Sequence, residues 1–219
     1  LGSSCIYPRK APQPMNEQYF MTGPLEPTNE AYAISKIAGI KMCQAYNDQY
    51  KTNFISAMPT NIYGPNDNFD LERAHVLPAL LRRFIEAKQQ NQPSITLWGT
   101  GKAKREFIYA DDIAEALVFL MKNYNSGEIL NIGTGQDVSI AELAQIIKEI
   151  VGYQGDINFD ASKPDGMPRK WLNVSRLNQL GFNHKTELTV GIQKTYEWYM
   201  TQDPSTICKH DKQRAEASK

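Results

Sequence analysis

Glu128-Ile-Leu-Asn-Ile-Gly-Thr-Gly135, leading into Ser139-Ile-Ala-Glu142, is the segment on which the fold turns. Glu128 to Ile132 is a short apolar run closed by a Gly-Thr-Gly turn, the pattern of a buried strand. Ser139 and Glu142 form a capping box: the serine can accept the N–H of the third residue on, and the glutamate there can accept the serine's own N–H. Leu143, Ile146, Ile147 and Ile150 then recur with helical period, and Gly152 stands where a left-handed residue ends a helix. The connecting turn lacks the third glycine and the following acidic residue of a dinucleotide loop, so it reads as a plain strand-to-helix connection.

The same alternation repeats outward. Upstream, Arg105 to Tyr109 is an apolar run followed by Asp111 and Asp112, N-cap candidates for a helix through Leu120. Before it come a strand at Ser94 to Trp98 and a helix near Ala74 to Lys88, with Leu77, Leu81 and Phe84 inward and Arg82 and Arg83 interleaved. Earlier still, Tyr63-Gly-Pro-Asn66 is a turn, and Asn53 to Met58 is a short strand ending at Pro59. A helix runs from near Asn29 to Tyr50, with Ile34, Ile37, Ala38 and Ala45 as its core stripe. Leu1 to Ile6 reads as the end of a buried strand, and Arg9 to Thr28 as a Pro-rich loop. Downstream lie a strand at Ile157 to Phe159, a loop at Lys163 to Pro168, and a helix carrying Leu188, Ile192, Tyr196 and Tyr199. Residues 204–219 are polar and charged and read as a frayed tail. Strand–helix alternation predicts an α/β fold: a parallel sheet with helices on its faces, plus a smaller α/β lobe.

Composition removes several function classes. Lys plus Arg (24) equal Asp plus Glu (24), so no net field draws the chain to nucleic acid or an anionic membrane, and an anionic ligand must be held locally. The longest apolar stretch, Ala116 to Met121, falls far short of the roughly 20 residues of a membrane helix. Cys5, Cys43 and Cys208 have no metal-ligand spacing, and with no charged leader at the amino terminus they point to a reducing cytoplasmic setting.

Tyr32-Ala-Ile-Ser-Lys36 places a phenol and an ammonium one helical turn apart on one face. The ammonium favours the phenolate and so readies the phenol to protonate a carbonyl. Alone, the spacing is as compatible with a surface pair. Upstream, Gly2-Ser-Ser-Cys-Ile-Tyr-Pro8 ends a strand in small hydroxyl residues. Open parallel sheets gather ligands at the carboxyl ends of their strands, which sets Ser3 toward the same crevice as Tyr32. Ser3, Tyr32 and Lys36 together suit a ketone oxygen that is protonated as hydride arrives.

Gly-Ser-Ser-x-x-Tyr-Pro followed by Tyr-x-x-x-Lys resembles the extended short-chain dehydrogenases that act on nucleotide sugars. Within them the chain is most similar, from Leu1 to near Met200, to the GDP-L-fucose synthases. The segments that carry this are Ser3-Ser-Cys-Ile-Tyr-Pro8, Leu25-Glu-Pro-Thr-Asn29, Met58-Pro-Thr-Asn61, Tyr63-Gly-Pro-Asn-Asp-Asn-Phe69 and His75-Val-Leu-Pro-Ala-Leu-Leu-Arg-Arg-Phe84. To these are added Trp98-Gly99, Arg105-Glu-Phe107 and Asp160-Ala-Ser-Lys-Pro-Asp-Gly-Met-Pro-Arg-Lys170.

The resemblance implies a partial Rossmann-like doubly wound parallel sheet with a smaller substrate-binding lobe. Residues 1–63 and 106–136 would belong to an NADP-binding domain, and 64–105 and 137–203 to the lobe. It implies inversion of the two carbons flanking the ketone of GDP-4-keto-6-deoxy-mannose, then reduction of the ketone with NADPH. Cys5 matches the base and His75 the acid of the inversion, and Cys5 needs positive groups nearby to act as a thiolate. Ser3, Tyr32 and Lys36 match the reduction. Leu1, Gly2, Ser3, Ser4, Lys36, Pro59, Thr60, Asn61, Ile62 and His75 match cofactor contacts. Arg83, Trp98, Arg105, Asp165 and Lys170 match substrate contacts, the guanidiniums suiting a diphosphate. A homodimer joined through the helix of Tyr32 is also implied, as is a preceding strand, glycine-rich turn and helix within about 100 further residues. Two other readings stand beside this one: a nucleotide-sugar 4-epimerase or dehydratase of the same family, with no use for the Cys5 and His75 pair, and a noncatalytic binder of nucleotide sugars.

Overall fold

The computed structural model describes residues 1–203, in two units. The first unit comprises Leu1–Ile62, Ala103–Val138 and Gly166–Thr186; the second comprises Tyr63–Lys102, Ser139–Asp165 and the chain from Glu187. In chain order the elements are α1 (Glu30–Tyr50), β1 (Ser56–Pro59), β2 (Asn61–Tyr63), α2 (Val76–Gln89), β3 (Ser94–Trp98), β4 (Lys104–Arg105), β5 (Phe107–Tyr109) and α3 (Ala110–Asn123). They continue with β6 (Ile129–Ile132), β7 (Val138–Ser139), α4 (Ile140–Val151), β8 (Asp156–Asp160), β9 (Arg169–Lys170), α5 (Ser175–Gln179) and α6 (Leu188–Thr201). Single 3-10 turns lie at Ser4–Ile6, Glu17–Tyr19 and Pro27–Asn29.

The first unit is built on β1 and β6, which run parallel with Ala57 opposite Leu130 and Met58 opposite Asn131. Every residue of both strands is buried, as a parallel pair covered on both faces requires. Side chains alternate across the pair. Ala57, Leu130 and Ile132 join Ile113, Ala116 and Leu120 of α3 and Leu177 of α5 in one apolar cluster. Met58 and Ile129 join Ile40 of α1, Ile6, Tyr7, Met15, Leu172 and Val174 in another. Helices therefore cover both sheet faces, the doubly wound arrangement expected. Asn131, fully buried, holds the second face together: its Oδ1 accepts the Tyr7 hydroxyl at 2.6 Å, and its Nδ2 donates to the carbonyls of Met15 and Asn173. Its own N–H donates to Glu17. Burial, with Glu17 nearby, pushes the Tyr7 phenol above its ordinary range.

In the second unit β3 and β8 run parallel from Ser94 opposite Asp156 to Trp98 opposite Asp160. Ile95 and Leu97 point inward, and Thr96 and Trp98 outward. Leu77, Leu81 and Phe84 of α2 are buried, as are Leu143, Ala144 and Ile147 of α4. The capping box of α4 forms: Ser139 Oγ accepts the Glu142 N–H at 3.1 Å, and Glu142 accepts the Ser139 N–H at 2.8 Å. Gly152 ends α4 at φ 72°, a left-handed conformation that glycine adopts without steric cost.

Several expectations are corrected. Leu1 to Ile6 is not a strand end: Ser3 caps a 3-10 turn that bends the chain away after one bond from the Gly2 N–H to Ala57 O. The buried stripe of α1 runs through Ala33 and Ile40, with Ile37 partly covered, while Ile34, Ala38 and Ala45 are exposed. This helix carries apolar residues on more than one face, so periodicity alone points to the wrong one. Tyr109, not Asp111 or Asp112, occupies the N-cap of α3; Asp112 is buried and accepts the N–H groups of Lys185 and Thr186. Gly166–Thr186 belongs with the first unit rather than with the lobe, because β9 pairs in parallel with β4 and Leu172, Val174 and Leu177 fill the first unit's clusters. The tail at 204–219 lies outside the described residues. Among those described, no helix is long and apolar enough to cross a membrane.

Candidate active site

In the first unit the chemistry gathers at the Ser4–Ile6 turn. Ser3 precedes it in extended backbone, and its Oγ accepts the Cys5 N–H at 3.2 Å. The half-buried Cys5 sulfur receives two donors, Lys170 Nζ at 3.1 Å and Asn29 Nδ2 at 3.3 Å. Strand β9 delivers the lysine, through the pairing of Arg105 with Lys170. Asn29 closes the turn just before α1, and its Oδ1 is buried without a partner among the described residues. In the first turns of α1, Tyr32 is 49% exposed, and Lys36 Nζ lies 5.6 Å from its ring centre while donating to Leu1 O at 3.3 Å.

Behind these groups Glu106, fully buried between β4 and β5, organises the unit. Its carbonyl accepts Thr60 Oγ1 at 3.2 Å and Asn61 Nδ2 at 2.7 Å, pinning two residues of the segment expected to touch cofactor. Its carboxylate accepts the N–H groups of Thr134, Gly135 and Leu172 at 2.7, 2.8 and 2.8 Å. Burial pushes this carboxyl above the ordinary range, and the three N–H donors pull the other way. Gly133 packs so tightly on the carboxylate that a Cβ there would collide with it. Replacing Glu106 by alanine strands three N–H groups, each costing about 1–3 kcal/mol when buried unpaired. We expect a loss of about 3 kcal/mol or more, read as a fall in urea midpoint at unchanged slope. A loss below about 1 kcal/mol would mean that water takes over the carboxylate's role.

The second unit carries His75, Arg83, Trp98 and Asp165. His75 is exposed at the N-cap of α2, and Arg83 is half-buried on the same helix. Asp67, in the preceding loop, accepts the Asn68 N–H at 2.7 Å; burial raises its carboxyl, against the pull of that bond and of His75. Trp98, 67% exposed at the end of β3, has Lys163 Nζ 5.7 Å from its ring centre. Asp165 accepts the Thr100 N–H at 2.6 Å and the Thr100 hydroxyl at 2.7 Å, which holds its carboxyl below the ordinary range. Asp165 thus braces the Gly99–Gly101 turn next to Trp98. Arg105, in the first unit, is half-buried, with Nη1 donating to Lys104 O at 2.8 Å.

Asn29 and Glu106 escape a reading of residues one at a time. Both lie in segments that resemble the family, Leu25-Glu-Pro-Thr-Asn29 and Arg105-Glu-Phe107, and that is the one signal that marks them. The donor set fits the reactive end of a nicotinamide cofactor: an exposed phenol for a ketone oxygen, and an ammonium for ribose hydroxyls. The Gly133-Thr-Gly135 turn offers a pyrophosphate nothing, because Glu106 already takes the amides of Thr134 and Gly135.

Comparison with known proteins shows the family. Residues 1–133 match the NAD dependent epimerase/dehydratase family. A probable GDP-L-fucose synthase 1 from Oryza sativa subsp. japonica is 55% identical over 200 residues, covering 91% of this chain and 61% of the rice protein. The GDP-L-fucose synthase of Sinorhizobium fredii is 56% identical over 201 residues, covering 92% of this chain and 64% of its own length. The crystal structure of a GDP-L-fucose synthetase from Naegleria fowleri bound to NADP matches with a TM-score of 0.86 at 32% identity, over 91% of this chain and 64% of that one. The chain therefore spans less than two thirds of the length of these relatives.

Proposed function

The chain belongs to the NAD dependent epimerase/dehydratase family, and from that premise we propose that it carries the inverting and ketone-reducing residues of a GDP-L-fucose synthase, acting on GDP-4-keto-6-deoxy-D-mannose with NADPH. The observation that carries this reading is the Cys5 sulfur flanked by Lys170 and Asn29, in the same unit as Tyr32 and Lys36. A reductase or 4-epimerase needs only the tyrosine and lysine. The cysteine has a use where a carbon beside the ketone is inverted.

A ketone at C4 acidifies the C–H bonds at C3 and C5, and Cys5 as thiolate takes the proton from either carbon. The C–H electron pair passes into an enolate whose oxygen is met by the hydroxyls of Ser3 and Tyr32. His75 is assigned the return of a proton to the carbon, and exchange with water resets Cys5 and His75 before the second centre is inverted. After both centres are inverted, Tyr32 protonates the C4 oxygen, and Lys36 holds the phenol ready for that transfer. NADPH, when bound, supplies the hydride to C4. Arg83 and Arg105 are assigned to the diphosphate, Trp98 to stacking on the guanine, and Asp165 to bracing the loop beside that indole. We also place the chain in the cytoplasm, as a homodimer joined through α1, whose Ile34, Met42, Tyr46 and Tyr50 leave an apolar surface open to cover by a second copy.

The test is turnover of GDP-4-keto-6-deoxy-D-mannose and NADPH by the full chain in D2O. GDP-L-fucose carrying deuterium at C3 and C5 is expected. A reduced sugar with hydrogen retained at both carbons, or a 4-epimer formed with no net loss of NADPH, would give the assignment to another activity of the family.

A further inference from the structure

We infer that Lys170 is a positioning residue for proton abstraction: its ammonium holds Cys5 as an ion-paired thiolate, aimed with the help of Asn29, rather than binding nucleotide sugar. This rests on the reading of Cys5 as the base, and it moves Lys170 from the substrate contacts that resemblance assigns to it.

Three observations converge. Lys170 Nζ is 3.1 Å from the Cys5 sulfur, the distance of a charged donor on sulfur. Asn29 approaches the same sulfur with its amide nitrogen at 3.3 Å, while its own oxygen is left buried and unpartnered. Two donors on one sulfur suit the anion, whose lone pairs accept from both. The lysine is also anchored at its base. Its backbone is clamped to β4 by the pairing of Arg105 with Lys170 and by the bond from the Glu106 N–H to Lys170 O at 3.3 Å.

The arrangement suits a base that must be both charged and free. When the thiolate takes the proton from carbon, an S–H bond forms, a C–H bond breaks, and the electron pair moves into the enolate. Lys170 keeps its proton throughout, so it remains a fixed positive charge and takes no part in the transfer. The contact to Lys170 comes from an element distant in sequence, so the sulfur gains its counter-ion only once β9 has docked on β4.

The test compares the full chain with Lys170→Met and Lys170→Arg, and needs no substrate for its first readout. Alkylation of Cys5 by iodoacetamide at neutral pH, followed by mass spectrometry of the Cys5 peptide, reports the thiolate directly. We expect Lys170→Met to slow it roughly tenfold or more, the effect of removing an opposite charge within contact distance, and Lys170→Arg to restore most of the rate. In D2O the exchange at C3 and C5 should fall in step with alkylation, with KM for the nucleotide sugar moving less than about threefold. An unchanged alkylation rate in Lys170→Met, or a loss as large in Lys170→Arg, overturns the proposal. So does a large rise in KM with exchange at saturation unaffected, the signature of a substrate contact. If the wild-type chain inverts no carbon at all, the reading of Cys5 as base fails, while alkylation still judges the ion pair.

Discussion

Replacing Cys5 by serine is expected to slow deuterium wash-in at C3 and C5 by about 10²–10⁴-fold, the range by which a positioned general base accelerates proton transfer. Serine keeps the size class and the polarity, and the turn that holds this residue is closed from outside it, by Ser3 Oγ on the N–H of residue 5. The fold should therefore survive the change. Proton affinity is what changes. A serine hydroxyl stays protonated at neutral pH even beside Lys170 Nζ and Asn29 Nδ2, so the same two donors that favour a thiolate have no anion to hold. NADPH consumption need not vanish with the exchange, because Tyr32 and Lys36 are untouched. Whatever product still forms must keep the configuration of the substrate at C3 and C5. Wash-in at the wild-type rate would remove Cys5 from the reaction and give the abstraction at C3 and C5 to another base.

What the sequence reveals about this fold depends on how far a signal reaches along the chain. Ser139, Glu142 and Gly152 interact within a few residues, and the capping box and the left-handed stop of α4 are where the local pattern puts them. The fully buried strands β1 and β6 are equally plain, because a parallel strand covered on both faces shows as an apolar run. The core stripe of α1 is not. Ile34 and Ala38 fit a helical period as well as Ala33 and Ile40 do, and only the position of the sheet decides between them. The 3-10 turn at Ser4–Ile6 hides for the opposite reason: one serine side chain on the Cys5 N–H outweighs the strand preference of the flanking residues.

The candidate site divides the same way. Tyr32 and Lys36 announce themselves, being one helical turn apart, and Cys5 is visible once its flanking serines and Tyr-Pro are read together. The contact of Lys170 with Cys5 joins residues from opposite ends of the first unit, and no spacing rule links them. Glu106 is the extreme case. A charged residue that follows Lys104 and Arg105 ordinarily reads as part of a solvent-facing charged run, yet here it is wholly buried because Thr134, Gly135 and Leu172 bring their N–H groups to it. A buried carboxylate that binds the turn of a neighbouring strand leaves that turn's amides filled. The same fact explains why Gly133-Thr-Gly135 has the look of a phosphate loop without its chemistry.

Replacing Tyr32 by phenylalanine should separate the two halves of the reaction. The substitution removes one hydroxyl and nothing else: the ring remains, and so does the contact with Lys36, whose Nζ sits 5.6 Å from the ring centre. Because the ring is half exposed, no cavity opens and no buried partner is stranded. Reduction at C4 requires a proton on the ketone oxygen as hydride arrives, and losing its donor should lower the rate of NADPH oxidation by about 10²–10⁴-fold. Inversion at C3 and C5 makes a weaker demand on the same hydroxyl. The enolate oxygen needs stabilisation rather than a completed proton transfer, and Ser3 remains to give part of it. Exchange with solvent deuterium should therefore fall by no more than roughly tenfold, the worth of one hydrogen bond. The substrate recovered from the variant would then carry deuterium with its ketone intact, and the ratio of exchange to reduction would rise at least about tenfold over wild type, the gap between those two losses. Cys5→Ser should drive that ratio the other way. If exchange and reduction instead fall together in Tyr32→Phe, the phenol serves both steps equally, and the division of labour between the Cys5 turn and the Tyr32 helix fails.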